Sequence, residues 1–257
     1  MTTNEHVVVV TGGGAGIGKA CALRFAHAGW RVVVNDISTQ DGERTRAVIE
    51  ERGGQALFCR GDGAKQADCE AFARAALDAW GRIDALVANA GVQLAGSLLD
   101  ASESDWDKIL GVNLKGVGYS CKAVLPAMIQ QRSGAIVIIS SLNAAVGVAH
   151  MPIYDASKAG VLGLMRSLAV AYGQDGIRVN AIGPGATITD FHVKRAAERG
   201  MSADELRAKT KGYGLLGRAA EPQEIAAAVY FLASAEASNI TGQFLLVDGG
   251  ASLTGGK

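Results

Sequence analysis

The sequence predicts an α/β fold: one doubly wound parallel sheet of about seven strands with helices on both faces. Three observations predict it. Short apolar stretches such as residues 7–10 are β-branched throughout, as strands buried on both faces read. Stretches with helical spacing separate them along the whole chain. The composition, 49% hydrophobic but only 5% aromatic with 34 glycines, suits aliphatic strands and tight helix–sheet crossings.

The elements follow in order. Residues 7–10, a glycine-rich turn, a helix over 17–28 and a strand over 31–36 make a βαβ unit. A helix over 39–52 leads to a strand at 56–60, and a helix over 65–80 to a strand at 85–88. Residues 104–125 read as one long helix before a strand at 135–140. The helix bearing Tyr154 and Lys158 runs to Tyr172, and a strand at 178–182 follows it. A helix over 222–233 and a strand over 243–247 complete the pattern. No linker or repeat interrupts it, so residues 1–257 read as a single Rossmann-type domain in three αβα layers. The exception is 190–218, polar and punctuated by glycine, which reads as an excursion over a functional site.

Composition excludes several function classes. Lys plus Arg is 25 and Asp plus Glu is 25, with no basic tract, so neither nucleic acid nor a membrane surface is expected as partner. Cys21, Cys59, Cys69 and Cys121 lack metal or disulfide spacing and read as reduced cytoplasmic thiols. The first residues lack a signal-peptide pattern, and no apolar run approaches a membrane span. The histidines His6, His27, His150 and His192 are too scattered for a metal site.

Chemistry enters at four places. The turn Gly12-Gly13-Gly14-Ala15-Gly16-Ile17-Gly18 lies between strand and helix, where backbone N–H groups and the helix dipole favour a pyrophosphate. Gly12 permits the turn, Gly16 admits the phosphates and Gly18 lets helix and strand pack closely, with Gly14, Ala15 and Ile17 completing the cradle. Asp36, followed by Ile37, ends the second strand. Its carboxylate accepts from both adenosine ribose hydroxyls and repels a 2′-phosphate, and no basic residue in the turn offsets that repulsion. NAD is therefore the expected cofactor. Tyr154 and Lys158, four apart on one helix face, pair a phenol with an ammonium expected to lower its pKa. Ser141, at the end of a strand, brings a hydroxyl to the same sheet edge.

Taken together and in order, the glycine turn, Asn89-Ala90-Gly91, Ser141, Tyr154-Asp155-Ala156-Ser157-Lys158 and Pro184-Gly185-Ala186-Thr187-Ile188-Thr189 resemble the short-chain dehydrogenase/reductase (SDR) family. The resemblance runs from about Val7 to Ser252. It implies a backbone contact to adenine at Asp62 and Gly63, where Gly63 departs from the usual Val. It implies that Asn89, Ala90 and Gly91 back the adenosine and brace the sheet, although Ala88 replaces the family's first Asn. Asn113 takes the place of a fourth catalytic residue, in a kinked helix whose carbonyl binds a water leading to the lysine. Pro184, Gly185, Thr187 and Thr189 fall where relatives hold the nicotinamide. The C-terminal strand and the long helices imply a homotetramer.

The expected activity is interconversion of a secondary alcohol and a ketone, or a sugar hemiacetal and lactone, with Tyr154 as base and Ser141 on the substrate oxygen. Asn143 and His150 are further candidate substrate contacts. Over 190–218, seven basic residues against four acidic ones suggest a small polar substrate: a sugar, polyol or hydroxylated ring. Two alternatives are a 3-oxoacyl thioester reductase and a non-enzymatic NAD-binding sensor.

Overall fold

A computed structural model describes residues 6–254. Seven parallel strands, β1 (Val7–Thr11), β2 (Arg31–Asp36), β3 (Ala56–Arg60), β4 (Ala85–Ala88), β5 (Gly134–Ile139), β6 (Ile177–Pro184) and β7 (Phe244–Val247), lie in the order β3-β2-β1-β4-β5-β6-β7. Strand order reverses between β1 and β4, and in such sheets ligands bind beyond the strand C-termini at that crevice.

The valines of β1 show why the sheet needs two helical layers. Val7 and Val9 face one core, with Phe72, Met128 and Met165; Val8 and Val10 face the other, with Phe25, Ile49 and Val229. The first layer holds α3 (Gln66–Trp80), α5 (Val117–Gln131) and α6 (Pro152–Tyr172). The second holds α1 (Gly16–His27), α2 (Thr39–Glu51) and α9 (Pro222–Ala233). Arg178 of β6 donates to the carbonyls of Leu232, Ala233 and Ser234, satisfying the orphan acceptors that end α9.

Two elements differ from expectation. The predicted single helix over 104–125 consists of α4 (Glu103–Leu110), a π-helical turn (Gly111–Gly116) and α5. The wider turn carries Asn113, and such bulges gather at functional sites. The excursion at 190–218 is not irregular. It contains α7 (Asp190–Ala197) and α8 (Ala203–Ala208), each opened by a capping box. No helix among the described residues is long and apolar enough to cross a membrane.

Candidate active site

Ile17, after β1, and Asn89, Gly91 and Val92, after β4, line one wall of a cleft of about 830 Å³, and the turns after β1 and β2 adjoin it. Gly12 (φ +62°) and Gly16 (φ +53°) occupy the left-handed region that glycine adopts at little cost. A side chain at Gly18 would overlap the Gly12 carbonyl, so strand and helix meet at backbone distance. Asp36 is held from both sides: Oδ2 accepts from Gly14 N at 2.9 Å and Oδ1 from Ser38 N at 2.9 Å. Ile37 beside it is exposed, an apolar surface next to the carboxylate. Ala15 is the N-cap of α1, and Ile17 lines the cleft.

Asn89 braces the crevice as expected, its Nδ2 donating to Thr11 O at 2.9 Å and Gly12 O at 3.1 Å. Thr11 Oγ1 in turn accepts from the amides of Asn89 and Ala90. Gly91, next in line, lies beside both Asn113 Oδ1 and Lys158 Nζ. Asp62 Oδ1 accepts from Ala64 N at 3.0 Å, and Gly63 turns its carbonyl towards Gly116 in the π turn.

The end of β5 and the start of α6 carry the proton chemistry. Ser141 follows β5, while Tyr154 and Lys158 project from the first turns of α6. Lys158 is buried, and its Nζ donates to the carbonyl of Ile139 at 2.9 Å and stands 5.8 Å from the Tyr154 ring centre. Burial pulls the Lys158 amine down to about 8. The Tyr154 phenol is raised: burial pushes it up, the Ser141 hydroxyl opposes this, and Asp155 adds to it. This corrects the expectation that Lys158 lowers Tyr154. Lys158 is spent on the Ile139 carbonyl rather than on the phenolic oxygen, and desolvation acts on both groups.

Asn113 is fully buried and fully engaged. Its Oδ1 accepts from Val92 N at 2.8 Å, and its Nδ2 donates to Val92 O at 2.9 Å and Ser157 Oγ at 3.1 Å. The side chain thus joins the π turn to α6 and to the loop after β4. Pro184, Gly185, Thr187 and Thr189 form the far rim; Thr187 Oγ1 donates to Gly185 O at 3.0 Å, and Thr189 Oγ1 shares a 2.8 Å hydrogen bond with His192 Nδ1. Partial enclosure and the charge of Arg195 hold the His192 pKa below its usual value.

Of the candidate substrate contacts, Ser141, Asn143 and Tyr154 line the cleft. His150 does not. It adopts φ +64°, its carbonyl accepts from Gly96 N at 2.8 Å, and its side chain lines a separate depression. The basic excess over 190–218 also fails to reach the cleft. Arg207 pairs with Asp204 and Glu221, Arg218 pairs with Glu224, and the cleft is lined from this segment by Phe191, His192, Leu206, Thr210 and Tyr213. Those charges are better solvated or paired outside than desolvated against a ligand. Sequence reasoning passed over Thr11, Ser157, Asp190 and Tyr213. Tyr213 Oη accepts from Ala186 N at 2.8 Å, and Asp190 Oδ2 accepts from Gly16 N at 3.1 Å. Only Thr11, directly before the glycines, carried a positional signal.

This geometry agrees with what the chain is similar to. The sequence model of the family described as "Enoyl-(Acyl carrier protein) reductase" matches residues 12–252. An uncharacterized oxidoreductase of Thermotoga maritima is 40% identical over 252 residues, covering 98% of this chain and 99% of that one. Cis-4-hydroxycyclohexanecarboxylate dehydrogenase of Sinomonas cyclohexanicum is 39% identical, covering 96% of each chain. The solved structure of 7α-hydroxysteroid dehydrogenase with NADH and 7-oxo glycochenodeoxycholic acid superposes with a TM-score of 0.87 at 35% identity, covering 96% of this chain and 94% of that one. Sequence, sheet order and the Ser141–Tyr154–Lys158 cleft therefore converge, and the chain belongs to the short-chain dehydrogenase/reductase family of nicotinamide-dependent oxidoreductases acting on CH–OH groups.

Proposed function

We propose that the chain is one NAD-dependent dehydrogenase domain that interconverts a secondary alcohol and a ketone on a small hydroxylated ring, polyol or sugar. The observation that carries this reading is the meeting of Ser141, Tyr154 and Lys158 in one cleft with the glycine turn after β1. Two features of that turn fit a dinucleotide. Left-handed glycines and the overlap at Gly18 keep it free of side chains, and Gly16 N already donates to a carboxylate, that of Asp190. Gly12, Gly14, Gly16 and Gly18 would hold the pyrophosphate, Asp36 the adenosine ribose, and Pro184, Gly185, Thr187 and Thr189 the nicotinamide. The fixed Asp36 carboxylate favours NAD over NADP by like-charge repulsion and lost hydrogen bonds worth about 2 kcal/mol, roughly thirtyfold.

The nicotinamide, when bound, supplies the hydride acceptor. In the oxidising direction Tyr154, once deprotonated to the phenolate, takes the substrate's hydroxyl proton on Oη, and Ser141 Oγ donates to the substrate oxygen as charge develops. Lys158, an ammonium below about 8 and held by the Ile139 carbonyl, would hydrogen-bond the nicotinamide ribose. Asn113 holds the π turn against α6 so that the lysine keeps its place. The ring-bearing substrate is supported by the Sinomonas relative and by the apolar residues Phe191 and Leu206, which line the same cleft. A homotetramer in the cytoplasm is part of the same reading.

A panel of meso-2,3-butanediol, L-rhamnose, cis-4-hydroxycyclohexanecarboxylate, a steroid and a 3-oxoacyl thioester, each with NAD(H) and NADP(H), tests the proposal. Highest kcat/KM on a compact alcohol with NAD is expected. The acyl thioester is the second reading, favoured by the description of the matching family, and best activity on it with NADPH overturns the first. Tyr154→Phe should lower kcat at least about 10²-fold while NADH binding stays within twofold. A Phe variant keeping a tenth of the wild-type rate would remove Tyr154 from the chemistry.

A further inference from the structure

The mechanism above gives Asp155 no part, although it directly follows Tyr154 and its carboxylate is engaged on both oxygens. Oδ1 accepts from Asn143 Nδ2 at 2.6 Å, and Oδ2 accepts from the backbone N–H of Val148 at 3.0 Å. Asn143 then reaches Ser141. Ser141 Oγ donates to Asn143 Oδ1 at 3.3 Å, and the Asn143 backbone N–H donates to Ser141 Oγ at 3.2 Å.

An amide side chain has one donor end and one acceptor end. A carboxylate can only accept, so Asp155 claims the donor end of Asn143. The acceptor end is left facing Ser141. Without substrate the serine proton rests on Asn143 Oδ1 and one oxygen lone pair is occupied by the Asn143 amide, so Oγ is held where it can turn that single proton to a substrate oxygen. The rotamer of Ser141 is thereby specified from α6, on the far side of the loop that joins β5 to α6.

We infer that Asp155 is a positioning residue for the reaction: acting through the Asn143 amide, it sets the direction of the Ser141 hydroxyl. The inference rests on the proposed roles of Ser141 and Tyr154. Asp155 also supports the Val146–His150 turn through Val148, a merely structural role that a test must separate from the first.

Charge separates them. The ionisable groups lining the cleft with Tyr154 are Lys158 on its own helix and Lys108 and His192 elsewhere, and Asp155 lies next to it on α6. Of these, Asp155 is the negative one, and its charge raises the phenol's pKa. Asp155→Asn removes the charge and leaves a single oxygen to serve both Asn143 and Val148. Asp155→Glu keeps the charge and displaces the carboxylate.

The experiment measures kcat in the oxidising direction, NADH binding by fluorescence, and the Tyr154 pKa from tyrosinate absorbance, using Tyr154→Phe as the blank. Asp155→Asn should lower kcat about tenfold or more, shift the Tyr154 titration to lower pH and leave NADH affinity within twofold. Asp155→Glu should lower kcat while the titration stays near the wild-type position. Asn143→Ala combined with Asp155→Asn should fall no further than the lower single variant, because both break one chain of contacts. Additive losses, or an Asp155→Asn enzyme with wild-type kcat and an unmoved titration, would overturn the inference. If Tyr154→Phe is itself active, the reading of the active site fails first; if it is dead while Asp155→Asn is unchanged, only this inference fails.

Discussion

The two walls of the cleft differ in what they are made of. The wall after β1, β2 and β4 is backbone: amides of Gly14 and Gly16, left-handed glycines, and an Asn89 side chain spent on main-chain carbonyls. The wall formed by 190–218 is side chain: Phe191, His192, Leu206, Thr210 and Tyr213. A backbone wall can be altered only by intrusion or by changing φ. A side-chain wall can be re-lined without disturbing the sheet, which is how one fold serves many substrates.

The sharpest way to break this contrast is to intrude on the backbone wall. Gly18→Ala places a methyl group on the Gly12 carbonyl, and overpacking against main chain costs about 1–3 kcal/mol or more. NADH affinity is expected to fall about a hundredfold, with a lowered melting temperature. A variant that binds NADH as wild type does would show that strand and helix need not meet so closely.

Lys158 sharpens the comparison on the catalytic side, where function is set against stability. In the folded chain burial brings the amine down to about 8, against an ordinary value of 10.5. Between those pH values the unfolded chain holds more protons, so stability rises with pH across this window. The whole change amounts to about 3 kcal/mol. Lys158→Met lacks this dependence. The wild type should therefore gain on the variant as pH rises from about 8 to 10.5, as read by denaturant unfolding at each pH. Parallel curves would mean the amine is solvated in both states.

The smallest effect is expected outside the second wall. Arg207→Ala and Arg218→Ala remove exposed ion pairs to Glu221 and Glu224. Each should cost less than about 1 kcal/mol of stability and leave kcat/KM within twofold. A tenfold change in KM for an acidic substrate would place these charges inside the site after all.

Sequence reading succeeded where the chemistry is written in local patterns. The valines of β1, the glycines before α1, and the four-residue spacing of Tyr154 and Lys158 each specify a backbone shape or a helix face. It failed where side-chain direction is decided by long-range partners. The basic residues of 190–218 read as substrate ligands, but Glu221, which caps α9, and Glu224, in its first turn, hold two of them. His150 looked adjacent to Tyr154 until its left-handed backbone turned it into another depression. The kink that the family resemblance implies at Asn113 takes the form of a π turn, which spacing does not reveal because its residues keep helical spacing on both sides. Lys158 is expected from the sequence to lower the Tyr154 pKa, but burial, which no spacing reveals, raises the phenol and lowers the amine.

The hydrogen bond from Gly16 N to Asp190 Oδ2 ties the two walls together. Asp190 begins α7, so an anion arriving at Gly16 must take the place of the residue on which that helix starts. A dinucleotide and the 190–218 segment would then compete for one amide, and α7 would be released as the phosphates settle. On the proposed reading the cofactor would bind first and the organic substrate second, and they would leave in the reverse order. The specificity of the second event would then be shaped by a segment that the first has already moved.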